Sequence, residues 1–245
     1  MCGGTLITTT HVLTAGHCTA EMDAPARIMA GSVSLKEQSP NTQWRDIHSI
    51  YTYPTYDNDD PLVYDDIAIV EFNPPVSLNR DIQLVKIVKD DTELLKQTAA
   101  LISGFGTYTY EDRQGEKMGK TSDELLWTQV QLFPWDYCNR QWGRTLNQKQ
   151  ICAGSKGRGT GGGDSGGPIQ VPYNKNLYQV GLTSYGAAKP EVAQNEQDRV
   201  PSVFTRVSQF CDFIEQVTEG KAKCGSLDDK GGDGPKPTKA PDCTC

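Results

Sequence analysis

The most glycine-dense stretch of the chain is Gly157-Arg158-Gly159-Thr160-Gly161-Gly162-Gly163-Asp164-Ser165-Gly166-Gly167-Pro168. Three chemistries compete for it. Positions 157, 159 and 162 fit the G-x-G-x-x-G spacing of a dinucleotide-binding turn, which needs a helix straight after it to hold the pyrophosphate. Asp164 to Pro168 follows instead, a run hostile to helix. A phosphate-cradling P-loop fails because no Gly-Lys-Ser/Thr follows. The third chemistry is a tight turn that exposes one serine, Ser165, beside backbone N–H groups. Glycine permits the angles and close approach of such a turn, and N–H groups beside a hydroxyl are what an oxyanion hole requires. A bland surface loop remains the alternative, so the stretch acquires meaning only with partners.

A serine hydroxyl is a weak nucleophile. It needs an adjacent base, itself oriented by a third group. The chain holds three histidines, His11, His17 and His48. His17 sits in Thr14-Ala15-Gly16-His17-Cys18, straight after an apolar run, and alone it reads equally well as a loop histidine. An orienting acid is expected at the start of a buried strand. Asp65-Asp66-Ile67-Ala68-Ile69-Val70 offers one, although ordinary turn acids before a strand look the same.

The elements that must carry these groups read as β. Short β-rich runs occur at 4–8, 12–14, 47–51, 67–71, 99–103, 128–132, 168–171, 180–184 and 202–207. Gly, Pro, Asn or Asp bounds each, as in an all-β sandwich or barrel. Ile67 and Ile69 alternate with Ala68 and Val70 at a period of two. Only 135–142 and a segment near the end read as helix. In the latter, Val207, Phe210, Cys211, Ile214 and Val217 share a face. Residues 107–124 read as a long polar loop and 189–198 as a polar insertion. From residue 225 onwards almost nothing is apolar, so the tail cannot offset its ordering entropy.

The 245 residues carry 24 Lys plus Arg against 31 Asp plus Glu, a formal charge of −7. An acidic chain without a basic cluster is a poor partner for nucleic acid or an anionic membrane. No apolar run approaches the ~18 residues of a membrane span. Eight cysteines point to an oxidising compartment. Yet no basic and apolar leader follows Met1, so the sequence shows no signal peptide.

Together the blocks Cys2-Gly3-Gly4-Thr5-Leu6-Ile7, Leu13-Thr14-Ala15-Gly16-His17-Cys18, Asp65-Asp66-Ile67-Ala68-Ile69-Val70 and Gly163-Asp164-Ser165-Gly166-Gly167-Pro168 resemble the signature segments of chymotrypsin-like (trypsin-fold) serine proteases. They come in that family's order of His, Asp, Ser. Gly104-Phe105-Gly106, Ile151-Cys152-Ala153-Gly154, Ser184-Tyr185-Gly186 and Phe204-Thr205-Arg206-Val207 are secondary matches. The resemblance implies an all-β fold of two Greek-key antiparallel barrels packed face to face, with a C-terminal helix. An incomplete first barrel would span 1–90, the second barrel 91–206, the helix 207–220 and a flexible tail 221–245.

The resemblance also implies a serine endopeptidase working through an acyl-enzyme. Ser165 is the implied nucleophile, His17 the base, and Asp66, which directly precedes the Ile-Ala-Ile run, the orienting acid. The N–H groups of Gly163 and Ser165 form the implied oxyanion hole, and Ser184, Tyr185 and Gly186 pair with substrate backbone. At the pocket floor, where trypsin-like members carry an aspartate, stands Gly159, followed by Thr160; Gly186 and Ser202 form the walls. This predicts a larger apolar side chain rather than Lys or Arg, with Glu191 and Asp198 near enough to reach in.

Cys2 with Cys18 and Cys138 with Cys152 match family disulfides. Gly161 replaces a family cysteine, which leaves the pocket wall unstapled. Cys211, Cys224, Cys243 and Cys245 have no common counterpart, and Cys211–Cys224 is the pairing expected among them. No cofactor or metal is implied, and 31–44 offers only Glu37 as an acidic ligand. Implied partners are protein or peptide substrates, protease inhibitors and an activating protease, acting on a secreted monomer. Active members begin with Ile/Val-Val-Gly-Gly, whose freed amine pairs with the aspartate before the nucleophile, here Asp164. That segment is expected upstream of Met1, and without it the chain is expected to be zymogen-like. The rival reading is a protease-fold binding or inhibitor protein that has lost catalysis. It predicts a replaced His, Asp or Ser, whereas all three are present.

Overall fold

The computed structural model describes residues 1–20, 22, 26–143 and 146–227. Strands β1 (Thr5–Leu6) and β2 (His11–Thr14) open the chain, followed by the short helix α1 (Gly16–Ala20). Strands β3 (Arg27–Ala30), β4 (Gln43–Thr52) and β5 (Ala68–Asn73) complete an antiparallel sheet in the order β1-β2-β5-β4-β3. Its two ends, β1 and β3, do not pair, so this half of the molecule is an open barrel.

The second half begins with the helical turn α2 (Thr92–Leu95) and strand β6 (Ala99–Gly104), followed by a hairpin of β7 (Thr107–Arg113) and β8 (Glu116–Thr121). Then come β9 (Leu126–Phe133), α3 (Trp135–Trp142), β10 (Gln150–Gly154), β11 (Pro168–Tyr173) and β12 (Asn176–Tyr185). A short helix α4 (Pro190–Asn195), strand β13 (Ser202–Arg206), a 3-10 turn (Val207–Phe210) and helix α5 (Cys211–Val217) finish it. Six of these strands close into a barrel in the order β10-β13-β12-β11-β6-β9. Its interior holds Leu94, Ala100, Ile102, Val130, Ile169, Val180 and Phe204, among others.

A period of two predicts one buried face on β5, and the structure buries both. Residue 67, just before the strand, and Ile69 within it face the other half. There Ile67 and Ile69 pack with Leu13, Leu182, Val207, Phe210 and Ile214. Phe72, on the opposite face, joins Val76 and Ile82 inside the open barrel. This double burial fixes the height of the segment that begins at Asp66. The seam between the halves therefore runs beside that residue.

Three departures from the sequence expectations have simple causes. Residues 107–124 are largely a hairpin, not a loop. Its two-residue turn puts Gln114 and Gly115 at φ 58° and 89°, which matches the twist of the flanking strands. Both faces of β7–β8 are largely polar, so no apolar alternation announced it. The 189–198 insertion contains α4, where Pro190 occupies the first turn, a position that tolerates its missing N–H. The expected tail from 221 is packed up to 227. Ala222 is buried, Leu227 lies against the barrel core, and Gly225 exchanges hydrogen bonds with Ile87 and Lys89 at 2.9 and 3.0 Å. The remainder of that tail, with Cys243 and Cys245, lies outside the described residues.

Three disulfides are formed among the described residues: Cys2–Cys18, Cys138–Cys152 and Cys211–Cys224. The third spans a sequence separation of 13 and ties α5 to the chain that returns along Gly225. Closing a loop of that length stabilises the fold by about 3 kcal/mol through the unfolded chain. The Cys211→Ser/Cys224→Ser variant is expected to lose about that much unfolding free energy in urea. A variant that unfolds at the wild-type midpoint would contradict this.

Candidate active site

Strand β2 ends at Thr14, and the chain turns directly into α1, which places His17 at the mouth of the seam. Its ring Nδ1 lies 2.9 Å from Asp66 Oδ2, and its backbone N–H donates to Asp66 Oδ1 at 2.8 Å. The acid therefore holds both the ring and the backbone of one residue. Cys18, bonded to Cys2, anchors the same turn. A Cβ on Gly16 would lie 3.0 Å from the Tyr56 ring and 3.2 Å from Asp66 Oδ1, so a side chain there would press on both.

Asp66 has no exposed surface, while the His17 side chain is 25% exposed. A buried carboxylate is tolerated only when its lone pairs are met. The second half adds one donor to the carboxylate and one to the backbone of the same residue. Ser184 Oγ–H donates to Asp66 Oδ2 at 2.5 Å, and Thr205 Oγ1–H donates to the Asp66 backbone carbonyl at 2.7 Å. The β12–β13 pairing shifts register at Ser184, a bulge that re-aims this side chain. Tyr56 stands close by, and burial, with the Asp66 charge second and Asp57 third, pushes its hydroxyl pKa up to about 12.

The neighbouring acid does something else. Asp65 adopts φ 56°, a left-handed backbone that costs a non-glycine residue roughly 1–3 kcal/mol. It is held there by Thr55 Oγ1 and by Lys149 Nζ at 2.7 Å, a cation that also sits 5.3 and 5.2 Å from the Tyr53 and Phe210 rings. Asp65 thus braces the turn that delivers Asp66, and the choice between the two acids is decided by which one faces His17.

Ser165 is carried by a turn with two left-handed glycines, Gly163 at φ 99° and Gly166 at φ 75°. A Cβ on Gly166 would lie 2.1 Å from Thr14 Oγ1, 2.6 Å from the Gly3 carbonyl and 2.9 Å from the Ala15 N. The Gly3 N–H donates to the Ser165 carbonyl at 2.7 Å. The serine turn is therefore seated against the strand end that leads into His17. Among the described residues, neither the Gly163 nor the Ser165 N–H donates to a backbone acceptor outside the regular elements.

The sequence profile of the family described as Trypsin matches residues 1–214. The chain belongs to the trypsin family of serine proteases. It is 30% identical over 223 residues to the human chymotrypsin-like elastase family member 1, covering 88% of this chain and 80% of the relative. It is 30% identical over 219 residues to mouse chymotrypsin-C, covering 88% and 77%. The solved structure of neuropsin, a serine protease expressed in the limbic system of mouse brain, superposes with a TM-score of 0.72 at 25% identity, covering 89% of this chain and 88% of that one. The protease is accordingly a serine endopeptidase of mostly β architecture with a closed barrel and a half-barrel.

The carboxylate before the serine, Asp164, is sunk between two glycines. Its Oδ1 accepts the Gly106 N–H and its Oδ2 the Gly161 N–H, each at 2.9 Å. A Cβ on Gly104 would lie 2.0 Å from Oδ1 and one on Gly106 2.5 Å from Cγ, so Gly104-Phe105-Gly106 leaves room for this acid alone. Burial raises its pKa above the ordinary 3.8, and the two N–H groups only partly oppose that. A raised carboxylate pKa means the folded chain holds the proton more tightly than the unfolded one. Its stabilisation is full below 3.8 and is lost as pH rises through the raised value. Asp164→Asn should therefore gain on the wild type in urea unfolding as pH goes from about 4 to 7. A stability difference that is constant, or that moves the other way, would contradict the burial.

Pocket residues expected from the sequence also come together. Thr160 Oγ1 donates to Ser202 Oγ at 2.9 Å, and the Thr160 N–H reaches the same oxygen at 3.3 Å. A Cβ on Gly186 would lie 3.6 Å from Ser202 Oγ. Tyr185 stacks edge-on against Trp142 at 5.1 Å. Gly161 cannot carry the expected cysteine in this backbone, since a Cβ would lie 2.1 Å from the Thr107 carbonyl. Thr107 braces the unstapled wall instead, donating its N–H to the Gly162 carbonyl at 2.8 Å. Sequence reasoning missed the Ser184 hydroxyl, Thr205 and Lys149. Only the position of Ser184 and Thr205 inside matched segments marked two of them.

Proposed function

We propose that the protease cleaves peptide bonds through His17, Asp66 and Ser165. The His17–Asp66 contact, with Ser184 fixing the same carboxylate oxygen, carries the reading. An acid on Nδ1 keeps the proton there, so Nε2 is free to accept one. Ser165 Oγ attacks the scissile carbonyl carbon while its proton passes to His17 Nε2. The carbonyl oxygen becomes an oxyanion, and the N–H groups of Gly163 and Ser165 stabilise it. Collapse breaks the C–N bond, the leaving amine takes the proton from His17, and an acyl ester remains on Ser165. Water then attacks the ester carbonyl as it gives a proton to His17, and the ester C–O bond breaks as His17 returns that proton to Ser165 Oγ, which releases the acid product. Asp66 stays ionised throughout and stabilises the imidazolium.

The protease is proposed to be secreted and to mature by proteolysis. Three disulfides and the trypsin-family relatives support an oxidising compartment. In the mature form a freed N-terminal amine would pair with Asp164, which makes no ion pair among the described residues. Such a partner would lower its pKa and reverse the pH slope predicted above. Protein substrates, inhibitors and an activating protease are the partners of this reading. It is tested with an excess of a chromogenic ester under pre-steady-state conditions. A stoichiometric burst from the activated protein, absent in Ser165→Ala, is expected; an unaltered burst in that variant would refute the acyl-enzyme.

A further inference from the structure

We infer that Lys149 and Gln150 are positioning residues for the orienting acid: they reach across the seam from the second half and hold the loop 62–66 in the conformation that aims Asp66 at His17. The inference rests on the protease reading, in which His17 is the base and Asp66 orients it.

The loop needs holding because its backbone is unfavourable. Val63 and Asp65 adopt left-handed angles, φ 51° and 56°, and neither is glycine. Such angles persist in a β-branched residue or an acid only where the surroundings over-determine them. The conformation at Asp65 passes directly to its neighbour. The Ile67 N–H donates to the Asp65 carbonyl at 2.8 Å, which closes a three-residue turn with Asp66 at its centre. A shift of the Asp65 peptide therefore swings the carboxylate that meets His17.

The first half supplies part of the hold. Thr55 donates to one Asp65 oxygen, and the Asp60 carbonyl accepts the Val63 N–H. The second half supplies the rest. Gln150 Nε2 donates to the Leu62 and Val63 carbonyls at 3.2 and 3.3 Å, beside the first strained residue. Lys149 Nζ donates to Asp65 Oδ1 at 2.7 Å, beside the second. The Tyr53 and Phe210 rings flank that ammonium and favour its place. Gln150 is buried and stands opposite Thr205 in the pairing of β10 with β13, and Thr205 donates to the Asp66 carbonyl. One edge of the closed barrel thus grips Leu62, Val63, Asp65 and Asp66. Burial of β5 sets the height of the acid, and this edge sets its aim. Docking of the two halves is thereby coupled to the orientation of His17.

The test is steady-state kinetics of the activated protein on a peptide substrate across pH, with kcat taken per Ser165 counted by burst titration. That count removes the effect of a partly unfolded variant. Lys149→Met/Asp65→Asn deletes both charges together, so the net charge near His17 is kept and a displaced Asp66 is left to act. Asparagine tolerates the left-handed angle. In this variant kcat is expected to fall about 10-fold with KM within about 2-fold of wild type. The acid limb of kcat/KM should move down by about 0.5 pH unit, because a displaced carboxylate stabilises the imidazolium less. Lys149→Met alone should cost nearly as much as the double variant, since the pair acts as one unit. Lys149→Arg keeps a cation within reach and should restore kcat to within about 3-fold of wild type. Gln150→Leu should show the same split of kcat from KM. An unchanged acid limb in the double variant, or a kcat within about 2-fold of wild type, overturns the assignment whatever stability is lost in urea. A wild type that fails to react at Ser165 with a fluorophosphonate overturns the protease reading itself, which is a separate result.

Discussion

Asp66→Asn is expected to lower kcat by about 10⁴ near neutral pH, with a much smaller change in KM. Three donors converge on the Asp66 side chain: the His17 ring, the His17 N–H and the Ser184 hydroxyl. An asparagine offers one acceptor atom and one NH2 where the carboxylate offers two acceptors. Whichever way the amide turns, its NH2 faces a donor. Turned towards the ring, it favours a proton on Nε2 and an acceptor at Nδ1. His17 then has no lone pair for the Ser165 proton, and the ground-state peptide still binds. Steady-state kinetics on a peptide substrate measures this. A fall of less than about 10-fold would mean that Asp66 does not set the imidazole tautomer.

Gly166→Ala is expected to lose roughly 2–6 kcal/mol of stability and at least about 10² in kcat. Two costs add. The residue sits at φ 75°, and its Cβ would fall 2.1 Å from Thr14 Oγ1, 2.6 Å from the Gly3 carbonyl and 2.9 Å from the Ala15 N. Two of these three atoms are backbone and cannot rotate aside. The turn must move, and Ser165 moves with it. Gly115→Ala is the control. Its φ is 89°, but no atom lies within 4 Å of the added carbon, so only backbone strain is felt, at the tip of a hairpin. Urea unfolding and steady-state kinetics on both variants separate strain from crowding. Equal losses in the two would show that the close seat of Gly166 does not matter.

The parts of the site that were legible in the sequence are those where a local backbone demand restricts residue type. A turn at Ser165 needs glycine at 163 and 166, and the Asp164 niche needs glycine at 104 and 106. These residues stand in the segments that resemble the family. The closed barrel was legible for a similar reason, since its strands bury apolar residues between turn formers. What was hidden depends on distant pairing. Asp65 and Asp66 look alike in sequence. They differ because Lys149, 84 positions on, takes one while His17 takes the other. The hairpin of β7 and β8 was hidden because its polar faces have no core to report.

The most direct test of the central claim is to treat the activated protein with a fluorophosphonate and map the adduct by mass spectrometry. The geometry predicts a single adduct on Ser165 that forms in wild type, is absent in Ser165→Ala and forms far more slowly in His17→Ala. Labelling at another residue, or equal labelling of all three proteins, would contradict it.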